Sequence, residues 1–135
     1  MTKKCLIVLS VCMLIGAGIA VYAWASCCSG DALCNGGVIN IADTCNFYFT
    51  VQHNRQDGDQ QSVKVWVQKD GDLTAFGYMM QIYSDPPYTF CVTYQKTLLL
   101  AANSTYYYWF TCTTDGCTGR DPNQGAYTLL TGDCD

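Results

Sequence analysis

From Phe47 onward the chain alternates between apolar and polar positions. Phe47, Phe49, Val51 and His53 interleave with Tyr48, Thr50 and Gln52, and Val63, Val65 and Val67 interleave with Lys64, Trp66 and Gln68. A period of two is the mark of a strand with one buried face. Further β-prone runs cover 74–83, 88–100, 105–113 and 126–131, with a shorter first candidate at Val38 to Ala42. Between the runs stand turn signals: Asp57-Gly58-Asp59, Asp70-Gly71-Asp72, Asp85-Pro86-Pro87, Asp115-Gly116 and Asp121-Pro122. No helix-period stretch follows Ala25. Seven short strands without crossover helices predict an all-β, antiparallel sandwich, because a parallel sheet needs those helices to return each strand.

The first 25 residues follow a different pattern. Lys3 and Lys4 precede an apolar run from Cys5 to Trp24, and Ala23-Trp24-Ala25 supplies small residues at A-x-A spacing. This predicts an export signal cleaved before Ser26. The run is also about as long as a bilayer-spanning helix, so a retained signal anchor is the alternative and the chain's one expected route to a membrane. A lipid on Cys27 is a third reading, but Trp24 replaces the aliphatic residue that such a box requires. The expected organisation is a signal over 1–25, a cysteine-rich segment over 26–45 and a sandwich over 46–135.

Charge sharpens the strand reading. Without Lys3 and Lys4, five basic residues face eleven acids, a formal charge of −6, and every acid is Asp. Asp favours turns where Glu favours helix interiors. A chain this acidic, with no basic stripe, is not expected to bind nucleic acid.

The order of strands and turns resembles a known architecture. Phe47-Tyr48-Phe49-Thr50-Val51, then Asp57-Gly58-Asp59, then Ser62 to Val67 resemble the front half of immunoglobulin-like or fibronectin-type-III-like modules of prokaryotic surface proteins. Tyr106 to Phe110, Asp115-Gly116 and the stretch from Arg120 to Tyr127 resemble the back half. The resemblance spans roughly Phe47 to Leu130 and implies an immunoglobulin-like sandwich used for spacing, adhesion or assembly. The chain departs from those modules in holding one copy and in carrying many cysteines.

Eight cysteines follow the signal: Cys27, Cys28, Cys34, Cys45, Cys91, Cys112, Cys117 and Cys134. An even count in an exported chain reads as a disulfide framework, so a secreted or cell-surface location is expected. Cys112 and Cys117 flank a turn and are the first pair to expect. Cys134 is expected to tie the C-terminus back to the N-terminal cysteine group. Zinc is the alternative, and it lacks a second pair to match the C-x4-C of Cys112 and Cys117.

Candidate chemistry is sparse. His53 is the lone histidine, expected in a solvated or a strand-end role, and no G-x-S-x-G segment accompanies it, so no enzyme is expected. Asp57, Asp59, Asp70 and Asp72 would suit calcium if their two turns met at one end of the sandwich; otherwise no cofactor is implied. Consecutive Tyr106, Tyr107, Tyr108 and Trp109 must point alternately to both faces, which leaves one set of rings for binding. Asn103-Ser104-Thr105 is an N-glycosylation sequon. The expected function is structural or adhesive, by contact with a surface protein, a glycan or copies of itself. The alternative is a subunit of an extracellular filament or sheath, with the strand at Val38 to Ala42 or the apolar helix inserted into a neighbour.

Overall fold

The computed structural model describes residues 33–54, 62–84, 91–114 and 117–134. The signal over 1–25 and Cys27 and Cys28 lie outside the described residues. Among the described residues nine strands form: β1 (Leu33–Asn40), β2 (Asn46–Asn54), β3 (Ser62–Lys69), β4 (Phe76–Met79), β5 (Gln81–Ser84), β6 (Cys91–Leu99), β7 (Thr105–Thr114), β8 (Cys117–Asp121) and β9 (Tyr127–Leu130). One antiparallel sheet runs β1-β2-β6-β5. The other runs β4-β3-β7-β8, with β9 also pairing with β7. Taking the strands in chain order as A, B, C, C′, D, E, F and G, with β8 and β9 sharing the last place, this is an ABED sheet facing a C′CFG sheet. That is the strand order of an immunoglobulin-like sandwich.

The alternation read from sequence builds the core. Phe47, Phe49 and Val51 of β2 and Val63, Val65 and Val67 of β3 point inward and are buried. From the facing strands come Val92, Tyr94 and Leu98 of β6, and Tyr106, Tyr108, Phe110 and Cys112 of β7. Tyr108 lies at its centre, edge-on to Phe49 at 5.3 Å and to Phe110 at 5.8 Å between centroids. His53 corrects an expectation. It stands next to last in β2, at a strand end, but it is fully buried rather than solvated, because it shares the inward phase of Phe47, Phe49 and Val51 and has Leu33 and Val92 beside it in the sheet.

Three elements differ from the sequence reading. The first strand begins at Leu33 rather than Val38, since β2 continues far enough to pair with it. The single run expected over 74–83 is two strands, β4 on β3 and β5 on β6, so the chain passes from one sheet to the other at Met80. The strand Cys117–Asp121 was not expected at all. Its sequence, Cys-Thr-Gly-Arg-Asp, carries no apolar alternation, and it is a strand because β7 offers it a ladder.

Each side of the sandwich is closed by a different device. On one side the backbone itself crosses, with Met80 buried and its N–H donated to the Val63 carbonyl at 2.9 Å. On the other, the Asp121 carboxylate accepts the Gly36 N–H at 3.0 Å and the Tyr127 hydroxyl at 2.7 Å, linking β1 to β8 and β9. Burial, together with that hydrogen bond, the charge of Asp121 and the neighbouring Tyr108, pushes the Tyr127 phenol up to about 12. Tyr108 is also raised, by burial first and then by Asp121.

The end of the chain is pinned as well. Cys134 is bonded to Cys45, Cα atoms 5.1 Å apart, so the C-terminus returns to the N-terminal cysteine group as expected. In the β7–β8 hairpin, Cys112 faces Gly119 and Cys117 faces Thr114, which sets the first-expected pair two ladder positions apart. The side chains of Cys91 and Cys117 are outside the described set.

The corner between β6 and β7 has a lock of its own. Tyr106, buried at the start of β7, accepts the Ala101 N–H on its hydroxyl at 3.0 Å. A tyrosine closing this corner onto the preceding backbone recurs in immunoglobulin-like sandwiches. Tyr106→Phe keeps the ring and removes the acceptor, so stability should fall by about 1 kcal/mol. Urea melts that place the variant level with the parent would show that the corner is held by packing alone.

Candidate binding surfaces

Alternation along β7 divides the four candidate rings. Tyr106 and Tyr108 are core side chains and cannot meet a partner, while Tyr107 and Trp109 point to the outer face. Register then decides what surrounds them. β3 pairs with β7 so that Trp66 stands opposite Trp109 and Gln68 opposite Tyr107.

The two indoles are parallel, 7° between planes and 6.3 Å between centroids. Trp66 lies along the sheet. Its six-membered ring covers Gly77 of β4 so closely that a Cβ there would meet ring carbons at 2.9 Å. Its Nε1 donates in the other direction, to Thr111 Oγ1 of β7 at 2.9 Å. Two cations lie over the pair: Lys64 Nζ is 5.7 Å from the Trp66 ring centroid and Arg120 Cζ is 5.2 Å from that of Trp109. Trp66, Gly77, Lys64 and Arg120 were not singled out in the sequence. Each stands at an ordinary outward position of its own run, and only the β4-β3-β7-β8 pairing brings them together.

A second surface lies at the side where the chain crosses between sheets. β4 ends one sheet and β5 the other, so residues 76–84 edge both. Their large apolar side chains are exposed: Phe76 is 60% and Tyr83 65% exposed, with Tyr78, Met79 and Ile82 also exposed, and Leu73 just before them is 100% exposed. No charge or proline interrupts Phe76 to Tyr83. Sheet edges are ordinarily protected by lysine, proline or a bulge.

Asp70 and Asp72 are exposed in the turn after β3, where Gly71 takes φ +88° and the Asp72 N–H reaches the Lys69 carbonyl at 3.0 Å. Asp57 and Asp59 lie outside the described residues, on the connection that enters β3 at its other end. The meeting of the two acidic turns, on which calcium would depend, therefore also lies outside the described residues. Among the described residues no three His, Cys, Asp or Glu side chains cluster as metal ligands would. Asn103 is exposed in the β6–β7 connection and donates Nδ2 to Asp133 at 2.6 Å. The strand expected to be donated to a neighbour, Val38 to Ala42, is engaged at home: Val38, Ile39 and Asn40 pair with Phe49, Tyr48 and Phe47. Comparison with protein-family models and with curated proteins finds no match to either.

Proposed function

We propose that this protein is an immunoglobulin-like, non-enzymatic module of the extracellular surface, structural or adhesive, that acts by protein–protein contact along its β4–β5 edge. The observation that carries this reading is the edge itself: six large apolar side chains, from Leu73 to Tyr83, exposed on an uncharged run that borders both sheets. Exposed apolar surface gathered in one place is what an interface supplies and what a solitary soluble domain avoids. The Cys45–Cys134 bond supports an oxidising compartment, and the export-like first 25 residues support the same.

A second reading, a filament or sheath subunit built by strand addition, is favoured by the outer side of β4, which among the described residues pairs only with β3. The recipient edge would then be β4 rather than a strand given up by β1. Phe76→Lys with Ile82→Lys tests both readings. Self-association by sedimentation velocity and retention on the surface of producing cells should both fall in the double variant. Its melting temperature should stay close to that of the parent, because substitutions at exposed positions cost little. If the double variant keeps both properties, the edge is not the binding surface.

A further inference from the structure

We propose that the outer face of the β4-β3-β7-β8 sheet binds an acidic polysaccharide, with Trp66 and Trp109 stacking on sugar rings and Lys64 and Arg120 pairing with carboxylate or sulfate groups. This does not rest on the β4–β5 edge. It comes from the aromatic and charged side chains that β3, β7 and β8 turn outward.

The shape of the site is set by glycine and by register. With no side chain at Gly77, the Trp66 indole can settle against the sheet, its far edge over β4 and its Nε1 bonded to Thr111 of β7. Trp109 then continues a parallel surface one strand further. Flat apolar rings held in place lose little entropy when a ligand stacks on them. The hydrogen bond to Thr111 and the Gly77 floor fix Trp66 before any ligand arrives.

Charge selects among ligands that stack. The chain carries eleven acids against seven basic residues. On the outward positions of β3, β7 and β8 that trend reverses: the charged side chains there are Lys64 and Arg120, while the one acid that reaches this face among the described residues, Asp70 just after β3, is bonded to the Tyr107 hydroxyl, away from the two cations. Both sit within 6 Å of an indole centroid. Arg120 is held in place by a bond from Nη1 to the Pro122 carbonyl at 2.9 Å. An anionic group beside a stacked ring would meet a positioned cation, and charge-assisted hydrogen bonds are the stronger kind. The Gln68 amide and the Tyr107 and Thr111 hydroxyls, bonded to the Asp72 carbonyl, to Asp70 and to Trp66 Nε1, keep acceptor positions that a hydroxyl-rich chain can use. A single-stranded nucleic acid also stacks on aromatic rings, but it needs a basic groove to follow its backbone, and two cations do not make one.

The test is affinity electrophoresis and tryptophan fluorescence titration of the full chain. The probes are polygalacturonate, chondroitin sulfate, neutral dextran and oligothymidylate. Binding is expected to one or both acidic polysaccharides and to weaken with salt; which of them binds identifies the acid group. Trp109→Ala should lower affinity at least tenfold, and Lys64→Gln about fivefold, as loss of one charge-assisted contact implies. Lys64→Gln replaces a surface side chain, so it decides the matter even if Trp109→Ala folds poorly. Four results would overturn the proposal: no binding to either acidic polysaccharide, equal binding to dextran, tighter binding to oligothymidylate, or unchanged affinity in Lys64→Gln.

Discussion

Replacing Cys45 and Cys134 together by alanine is expected to lower the melting temperature by roughly 15 to 20 °C, the largest effect of any pairwise change in this domain. The bond closes a loop across a sequence separation of 89, which takes in β2 through β9. Cross-linking a loop of that length restricts the unfolded chain by about 4 to 5 kcal/mol in the chain-entropy account. Cys45 is itself buried at the start of β2, so alanine is the better replacement, leaving no hydroxyl to desolvate. Thermal melts of the double variant under oxidising conditions isolate this one bond from the other thiols. A shift of only a degree or two would mean that the unfolded chain is already compact where Cys45 and Cys134 meet.

Phe110→Ala is expected to cost about 3 to 5 kcal/mol. The ring is fully buried, edge-on to Tyr108, and lies where a Cβ on Gly36 would come within 2.7 Å of it. The backbone of β1 at Gly36 is tied to Asp121, so it cannot readily move into the vacated space. The converse change probes the same contact. Gly36→Ala pushes a methyl group into the ring and against the Asp121 carboxylate, an overpacking expected to cost about 1 to 3 kcal/mol. Part of that cost should vanish when Phe110 is already alanine, because one of the two obstacles is gone. Denaturant melts of the two single variants and the double variant measure the coupling. Strict additivity would show that Gly36 and Phe110 do not press on each other.

What could be read in the sequence was whatever local periodicity controls. β2 and β3 were legible because Phe47, Phe49, Val51 and Val63, Val65, Val67 each mark a buried face without reference to any other strand. The inward and outward division of Tyr106 to Trp109 was foreseeable as an alternation, but its phase was not. Phase depends on which side of β7 the core lies, and the β6–β7 corner and its tyrosine set that. β8 was illegible because Cys117 to Asp121 has no pattern of its own and takes its conformation from β7. The break at Met80 was hidden for the opposite reason: Phe76 to Tyr83 is uniformly β-prone, and nothing local announces a change of sheet. His53 misled because a polar side chain ending an alternating run reads as solvated, when the neighbouring strands cover it. The Trp66 and Trp109 surface depends on β3 lying beside β7, strands separated by β4, β5 and β6 in the chain, and such long-range pairing leaves no mark on either sequence.

The position of the Cys45–Cys134 bond also determines how the domain would carry tension. A pull applied along the chain between the residues before β1 and those after Cys134 passes from Cys45 through sulfur to Cys134, and everything between them is bypassed. Among the described residues, β1 and the short connection to Cys45 lie in series with such a load. Peeling β1 from β2 would release about a dozen residues, on the order of 40 Å of slack, and then extension would stop at a covalent link. The Trp66 and Trp109 face and the β4–β5 edge both fall inside the bypassed loop. Traction from the N-terminal side would therefore lengthen β1 and its connection while both proposed binding surfaces stay off the loaded path.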